Sequence, residues 1–388
     1  MKSIQKTFSY RLKPTSPQKT LFAQFAGSAR FVFNQGLAQI KKAFEEKVKI
    51  PTFTDIANQL PLLKKSPETG WLKNTHSQVL QQSLKDLESA LKHFFRRVRA
   101  KQKPGFPRFK CKGIKDSFRY PQGIKCVNGK IYLPKIGWVT YYDSQSIKGT
   151  IKQAVIKRRG EHWYIHIVCL IEKDIKPKEL SFDKAIGIDL GLEHFAYFSN
   201  GQIVENPRFG KNGLKKLAWY QKKHSHKKKG SNNRKKSVIR LTRIHERIAN
   251  QRKDFLHKLS TQIVENQDIV IVENLSIKGM IQNRKLSRSI ADAGWRALLQ
   301  MLKYKTEWCG KRYIEIDRFA PTSKLCSSCN NTQDMPLAIR RYMCKKCGLN
   351  LDRDFNAAIN IRAAGLAVLN ACGGISIGLP SEAGISGL

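Results

Sequence analysis

The sequence predicts a multidomain α+β protein, and three observations support this prediction. Short strand-like runs with tight turns, such as Asn128-Gly129, fill residues 104–178 and indicate a small β-barrel similar to an OB fold. From Ala185 onward, strands and helices follow one another as β-β-β-α-β-α-β-α, which predicts an α/β core. Two Cys-x-x-Cys pairs in the last part of this core predict an inserted zinc ribbon.

The net charge is the most informative feature of the composition. The 388 residues include 72 Lys+Arg and 29 Asp+Glu, which gives a formal charge of +43. A protein with this excess repels itself, so we expect a polyanion as its partner, and nucleic acid is favoured because each neutralised phosphate releases counterions. We expect no membrane partner, because no apolar run approaches the roughly 20 residues of a membrane span. Residues 1–14 also lack the apolar core of a signal peptide.

The N-terminal region predicts a strand followed by helices. Ile4 to Leu12 alternates roughly in hydrophobicity, and Ser16 with Pro17 then provides a helix start. A second helix is predicted over about 77–100 from an apolar stripe at helical spacing. Its basic end holds candidate contacts to nucleic acid: Arg96, Arg97 and Arg99. Because the strand can join the barrel, the helices are expected to form an insertion in it.

A second basic region lies between residues 208 and 253, where Glu246 stands among many lysines and arginines. It contains KKHSHKKKGSNNRKK, residues 222–236, which we expect to form a mobile loop. Single surface charges usually face solvent without a specific role, whereas dense clusters of cations bind phosphates. The candidate contacts to nucleic acid here are Lys227, Lys228, Lys229 and Arg234.

Three carboxylates occupy special places in the predicted core. Asp189 lies in its first strand, Glu273 ends the buried run DIVIV, and Asp354 begins its last helix. Singly, each has a plain explanation: a turn before Gly191, a surface charge, or a favourable charge at a helix N-terminus. Together with the order of elements, they are the layout of an RNase H-like nuclease core, in which these three points meet at one edge. Asp352 is the alternative third member.

Such a cluster suits the hydrolysis of phosphodiesters. In-line attack develops charge on the attacking and leaving oxygens, and two divalent ions roughly 4 Å apart stabilise both. Mg²⁺ prefers carboxylate oxygen ligands, whereas metal-free carboxylates at one site repel one another. We therefore expect two Mg²⁺ ions held by Asp189, Glu273 and Asp354.

The cysteine spacing predicts one structural Zn²⁺ held by four thiolates. The ligands are Cys326, Cys329, Cys344 and Cys347. A pair of disulfides is the alternative, but the remaining cysteines are scattered, which suits a reducing cytoplasm. Lysines and arginines surround the ribbon, so we expect it to contact nucleic acid. These are Lys324, Arg340, Arg341, Lys345 and Lys346.

The motifs resemble those of one known family. GIDLG around Asp189, IVEN around Glu273, SKLCSSC with CKKCG, and DRDFNAAINI around Asp354 are similar to the TnpB (OrfB) proteins of insertion sequences, relatives of type V CRISPR effectors. Near the start, YRLKPTSPQKTLFAQFAGSARFVFNQGL resembles the N-terminal region of the same family. The resemblance covers nearly the whole chain and is most specific in its C-terminal half.

The resemblance implies a RuvC nuclease domain, a wedge barrel with a helical recognition insertion, and a zinc-bearing module that binds the target nucleic acid. It maps the catalytic acids onto Asp189, Glu273 and Asp354. It also implies a guide RNA from the transposon end, which directs cleavage of double-stranded DNA beside a short motif. We expect the chain to act as a monomer on its RNA. The expected parts are the wedge (1–16 and 104–178), the helical domain (17–103), the RuvC domain (179–325 and 348–366), the ribbon (326–347) and a flexible tail (367–388).

Two other functions fit the same residues. A non-cleaving accessory factor of transposition, or a repressor, would bind nucleic acid without metal-dependent cutting. A DDE-type transposase also uses three carboxylates, but it joins strands as well as cutting them.

Overall fold

The computed structural model describes residues 2–113, 115–173, 180–336 and 339–371. The chain divides into an N-terminal unit, residues 1–174, and a C-terminal unit, residues 175–388. Within the described ranges, no helix combines the length and the hydropathy required to cross a membrane.

The N-terminal unit is built on a seven-stranded antiparallel sheet with the order β2-β6-β7-β1-β5-β4-β3. The strands are β1 Lys2–Lys13, β2 Ser117–Tyr120, β3 Lys125–Val127, β4 Lys130–Leu133, β5 Gly137–Tyr141, β6 Thr150–Arg159 and β7 His162–Lys173. The N-terminal strand β1 joins this sheet, as expected, and occupies its centre, because it pairs with β7 on one side and β5 on the other. Residues from both halves of the sheet, such as Tyr10, Tyr120 and Val139, share one core.

The helices of this unit lie between β1 and β2 in the chain. They are α1 Ser16–Glu45, α2 Phe53–Ala57, α3 Leu60–Lys65 and α4 Ser77–Arg99. Helix α1 begins with a capping box: the side chain of Thr15, and not that of Ser16, accepts the amide of Gln18, and Gln18 Oε1 accepts the amide of Thr15. Apolar residues of α1 and α4, including Leu37 and Leu84, form a second core.

The C-terminal unit contains a five-stranded sheet with the order β10-β9-β8-β11-β12. Its strands are β8 Ala185–Asp189, β9 His194–Phe198, β10 Ile203–Glu205, β11 Ile269–Glu273 and β12 Arg312–Ile316. Strand β9 runs antiparallel to both β8 and β10, whereas β8, β11 and β12 run parallel. The predicted RNase H-like core is therefore confirmed. Helices α5 Phe209–Ser225, α6 Asn232–Asn266, α7 Ile277–Met280, α8 Ser287–Ala293, α9 Trp295–Trp308 and α10 Arg353–Ala371 complete the unit, with the ribbon hairpin β13 Arg341–Met343 and β14 Asn350–Asp352.

The basic stretch 222–236 is not a long loop, and this prediction was wrong. Helix α5 continues to Ser225 and α6 begins at Asn232, so only a short turn remains. Ser231 caps α6 by accepting the amide of Arg234 at 3.2 Å. One guanidinium nitrogen of Arg234 donates to the carbonyls of His224 and Lys227, at 3.2 and 2.7 Å. Lysine and arginine are good helix formers, and the sequence-based prediction gave too much weight to their charge.

The flexible tail was also predicted to begin too early in the chain. Helix α10 runs to Ala371, so residues 367–371 are helical. Leu366 and Leu369 pack against the cluster around Ile271 and Ile361, which extends the helix by burying apolar surface. The rest of the predicted tail, 372–388, lies outside the described residues.

Helix α10 packs closely on the sheet because glycines occupy two contact positions. A Cβ on Gly187 of β8 would clash with the backbone of Ala358 and Arg362, and one on Gly365 would clash with Ile271 of β11. The guanidinium of Arg362 donates to the carbonyl oxygens of Ala185, at 2.9 Å, and Phe182, at 3.2 Å. This contact fixes the height and direction of α10 over β8.

Gly187→Ala should therefore destabilise the chain by about 1–3 kcal/mol, the usual cost of overpacking a close contact. The matched control is Gly27→Ala in α1, where an added Cβ meets no atom closer than 3.7 Å. There the substitution should be neutral or slightly stabilising. Urea unfolding of the two variants measures the difference, and an unchanged stability in Gly187→Ala would contradict the close packing.

Candidate functional site

Asp189 and Glu273 lie at the same end of two neighbouring parallel strands. The last registered pair between β8 and β11 is Ile188 with Val272. Asp189 and Glu273 follow this pair directly, and hydrogen-bonded strands are about 4.8 Å apart. Both side chains are partly buried, whereas the residues before them in each strand are buried. The register alone therefore places two carboxylates side by side at the carboxyl edge of the sheet.

Asp354 reaches the same edge from the first turn of α10. Ala358, one helical turn after Asp354, contacts Gly187 of β8. Asp354 therefore lies one turn closer to the end of β8 than this contact. The repulsion that Asp354 exerts on Asp189 in the folded protein agrees with this placement. The structure thus brings together all three acids of the predicted cluster.

The cluster raises the pKa of its central member. Burial, and then the charges of Glu273 and Asp354, raise the pKa of Asp189 to about 8, while the nearby charge of Arg353 acts in the opposite direction. Burial also raises the pKa of Glu273, and the hydrogen bond from Thr322 lowers it. A divalent cation would offset both effects, and three carboxylates are the oxygen donors that Mg²⁺ prefers. The chemistry of the donor set therefore suits a divalent metal, whereas among the described residues only the four cysteines form a group of three or more ligand atoms within 4.8 Å of one another.

Asp354 has two cationic neighbours. Arg353 Nε lies 3.3 Å from Asp354 Oδ1, and Arg340 Nη1 lies 3.8 Å from Asp354 Oδ2. Arg340 also pairs with Glu193 at 3.4 Å. The two arginines beside Asp354 therefore orient its carboxylate and compensate part of its charge.

Asp352, the alternative third member, binds backbone amides at the start of α10 in this structure. Its Oδ1 accepts the amides of Asp354, at 2.9 Å, and Phe355, at 3.2 Å. These are amides at the first turn of α10, so Asp352 acts as the helix N-cap. This assignment favours Asp354 as the third acid of the cluster.

The four predicted zinc ligands form a compact sulfur cluster. The sulfur atoms of Cys326, Cys329, Cys344 and Cys347 all lie within 4.8 Å of one another. Two of the sulfur pairs, Cys326 with Cys347 and Cys329 with Cys344, are 3.6 Å apart, which excludes disulfides and approaches the separation of about 3.8 Å expected around tetrahedral zinc. The set fits one structural Zn²⁺, because four sulfur ligands complete its tetrahedral coordination and leave no open position.

The backbone of each knuckle is shaped for this site. Asn330 follows the first Cys-x-x-Cys pair with φ 58°, and Gly348 follows the second with φ 73°. These left-handed residues close each knuckle, since the amides of Asn330 and Gly348 donate to the carbonyl oxygens of Cys326, at 3.1 Å, and Cys344, at 3.0 Å. In the second knuckle, the backbone amides of Cys347 and then Lys346 lower the pKa of the Cys344 thiol and favour the thiolate that binds metal.

The predicted contacts to nucleic acid fall in both units. Arg96, Arg97 and Arg99 are exposed in the last turn of α4. Lys228 and Lys229 are exposed in the turn between α5 and α6, where Lys227 is partly buried. Arg234 stands apart, since it holds that turn together through its bonds to carbonyl oxygens.

Sequence reasoning missed the residues that support the acids. Thr322 donates to Glu273, and Asn356 and Asn360 of α10 hold the start of the ribbon. The two asparagines lie four residues apart, on one face of an otherwise Ala/Ile-rich helix, which is a usable signal for buried polar contacts. Thr322 carries no comparable signal, because its partner is 49 residues away in the chain.

The fold and the acid cluster define a protein of the RuvC-like, RNase H-fold class. Three family models match the chain: OrfB_IS605, described as a probable transposase, over 166–284; the Cas12f1-like TNB domain over 295–361; and a helix-turn-helix domain over 1–49. In this structure, residues 2–45 of the last match form β1 and α1. The chain belongs to the TnpB (OrfB) family of insertion sequences, and the resemblance predicted from its motifs is confirmed.

Curated relatives match along nearly the whole chain. It is 37% identical to the "Putative RNA-guided DNA endonuclease InsQ" of Escherichia coli strain K12, over 96% of this chain and 95% of that protein. It is 35% identical to a "Putative RNA-guided DNA endonuclease" of Streptomyces pristinaespiralis, over 96% and 92% of the two chains. Among solved structures, the cryo-EM structure of a Cas12f1–sgRNA–target DNA complex matches with a TM-score of 0.58 and 14% identity, over 93% of this chain and 99% of that one. This last likeness concerns the fold.

Replacing Asp189 by Asn should change how stability depends on pH without added Mg²⁺. The pKa of Asp189 is about 8 in the folded state, against an ordinary value of 3.8, so the folded state binds more protons between these values. The free energy of unfolding of the wild type should therefore fall as the pH rises from about 4 to 8 and level off above it. Asp189→Asn should flatten this dependence, as thermal unfolding across the range will measure. The exposed Asp254→Asn is the control, and equal slopes for wild type and Asp189→Asn would contradict the assignment.

Cys326→Ser should reduce the zinc content from one ion per chain to near none, because serine is a poor zinc ligand and three thiolates hold the ion weakly. The matched control is Cys309→Ser, whose thiol is exposed and outside the cluster. Inductively coupled plasma mass spectrometry of the purified proteins measures the metal. Full zinc content in Cys326→Ser would rule out this ligand set.

Proposed function

We propose that the chain is an RNA-guided, divalent-metal-dependent DNA endonuclease of a transposable element. The observation that carries this proposal is the convergence of Asp189, Glu273 and Asp354 at one sheet edge, although 165 positions separate the first from the last. The names of the relatives from E. coli and S. pristinaespiralis support the same activity. The enzyme would cut double-stranded DNA beside a short motif with this single RuvC site.

The three acids have distinct surroundings that suit this chemistry. Asp189 is the central acid, because the charges of both others act on it, and it would hold divalent metal together with them. Glu273 is fixed by the hydroxyl of Thr322, and Asp354 by the guanidinium of Arg353. Bound there, two Mg²⁺ ions would stabilise the attacking and leaving oxygens of an in-line displacement. The protein itself supplies fixed carboxylates, which need not reorganise during the reaction.

The zinc ribbon is structural in this proposal. Its four thiolates fill the coordination of one Zn²⁺ and leave no position for water or substrate. Exposed cations around it, such as Arg341, Lys345 and Lys346, suit contact with the target strand near the acids. The ribbon would guide nucleic acid toward the cluster without taking part in the chemistry.

The charge of the chain supports an RNA partner and a DNA target. In RNA-guided enzymes, base pairing selects the sequence, and protein cations hold the backbones of the nucleic acids. We assign this role to Arg96, Arg97 and Arg99, and to Lys227, Lys228 and Lys229. Arg234 contributes by shaping the turn that carries the three lysines. The active form would be a monomer on a guide RNA from the transposon end, in the prokaryotic cytosol.

The domain organisation inferred above completes the proposal. Residues 1–16 and 104–178 would form the wedge and 17–103 the helical recognition domain. Residues 179–325 and 348–366 would form the RuvC domain, and 326–347 the zinc module that binds the target.

Asp189→Ala and Glu273→Ala should each reduce DNA cleavage by at least about a thousandfold, because each removes a ligand of the metals that carry the reaction. Binding of guide RNA should not change, since neither acid belongs to a basic surface. The assay uses the protein copurified with RNA from the element end, Mg²⁺ and a double-stranded target. Asp254→Ala, an exposed acid paired with Lys258, serves as the control.

Retained cutting in either variant would refute the catalytic assignment. Wild-type binding without Mg²⁺-dependent cutting would instead support the accessory factor or repressor. A strand-joining assay on the same substrates separates the endonuclease from a DDE-type transposase, because hydrolysis alone yields no joined product.

A further inference from the structure

Glu273 is held from outside its own strand. It ends β11, and the hydroxyl of Thr322 donates to its Oε1 at 2.5 Å. Thr322 belongs to the segment between β12 and the ribbon, and only 7% of it is exposed. A long glutamate side chain has several rotamers at a strand end, so a buried donor restricts the position of its carboxylate.

Thr322 is held in turn by helix α10. Asn360 Nδ2 donates to the carbonyl oxygen of Thr322 at 2.8 Å and to that of Leu325 at 2.7 Å. Asn360 is 5% exposed. An amide at a buried helical position is costly unless its hydrogen bonds are satisfied, and here both go to the segment that leads into the ribbon.

One turn earlier, Asn356 ties the same segment to the helix on both sides of a zinc ligand. Its Nδ2 donates to the carbonyl oxygen of Leu325 at 2.7 Å, and its Oδ1 accepts the amide of Ser327 at 3.0 Å. Leu325 and Ser327 flank Cys326, the first zinc ligand. The first zinc knuckle is therefore docked on the helix that carries Asp354.

We propose that Thr322 and Asn360 are positioning residues, which fix Glu273 in the metal site through the segment that leads into the zinc ribbon. The contacts run from Asn360 to the backbone of Thr322, and from its hydroxyl to Glu273. We call this chain of contacts the relay. Because Asp354 lies on the same helix as Asn360, the relay ties both Glu273 and Asp354 to α10. This inference rests on the proposed metal-dependent function, and it gives the segment before the ribbon a role in the metal site.

The test compares Thr322→Val, which keeps the shape and removes the donor, with Thr322→Ser, which keeps the donor. Thr322→Val should weaken Mn²⁺ binding at the acid cluster about tenfold, the scale of a lost hydrogen bond to a charged group. Thr322→Ser should remain within about twofold of the wild type. Electron paramagnetic resonance of Mn²⁺ titrated into the full-length, zinc-loaded protein measures this affinity, and the binding lost in Asp189→Asn identifies the site.

Asn360→Ala tests the second step of the relay. It should also weaken Mn²⁺ binding several-fold, while Asn370→Ala, an exposed asparagine of the same helix, should leave it unchanged. Zinc content should stay at one ion per chain in all four variants, which shows that the ribbon remains folded. In cleavage assays, Thr322→Val should raise the Mg²⁺ concentration for half-maximal rate more than it lowers the rate at saturating Mg²⁺.

The outcomes separate the two proposals. If Asp189→Asn loses Mn²⁺ binding and Thr322→Val keeps it, the relay is wrong and the metal site stands. Equal loss in Thr322→Ser and Thr322→Val would also overturn the relay, because the hydroxyl would then have no role. If the wild type and Asp189→Asn bind Mn²⁺ equally, the metal site itself fails, and the relay fails with it.

Discussion

The distance between helix α10 and strand β8 is the constraint on which the site depends. An ordinary helix packs on a sheet through its side chains, which would keep the backbone of α10 well away from the strand. Glycines at 187 and 365 remove that separation, and Arg362 adds hydrogen bonds to the carbonyl oxygens of the neighbouring backbone. Because a helix is rigid, with a rise of about 1.5 Å per residue, fixing its middle also fixes its first turn. Asp354 is placed by contacts that lie one and two turns further along the helix.

The acid cluster is a local exception within a strongly cationic chain. Burial and mutual repulsion raise the pKa of Asp189 to about 8, so the fold holds this carboxyl in surroundings that disfavour its charge. Such a cost is tolerated where packing determines the position of the group and function requires it. In the proposed function, the excess of lysine and arginine would attract nucleic acid to the chain as a whole, while the acids would attract divalent cations to one point of it. The two opposite charge distributions thus serve different ligands.

The sequence could predict the features that depend on local pattern. The zinc ligands follow from their spacing, and Asp189 and Glu273 follow from apolar runs that end in a carboxylate. It could not predict features that depend on long-range contacts or on competition between local effects. The bond from Thr322 to Glu273 joins two segments with no shared motif. The stretch 222–236 was misjudged because its charge suggested a loop, whereas helix propensity and the capping by Ser231 decide its structure.

The position of the ribbon in the chain explains why it must be docked. It lies within the connection from β12 to α10, residues 317–352, between the strand beside Glu273 and the helix whose first turn carries Asp354. A flexible connection of this length would leave both ends free to move and would carry an entropic cost of closure. The bonds from Asn356 and Asn360 attach its first cysteine knuckle to α10, and the four clustered thiols would fix the knuckles to each other on binding zinc. In the proposed function, the zinc would therefore lie outside the chemistry, and the docked segment beside it would contribute to the geometry of the carboxylates.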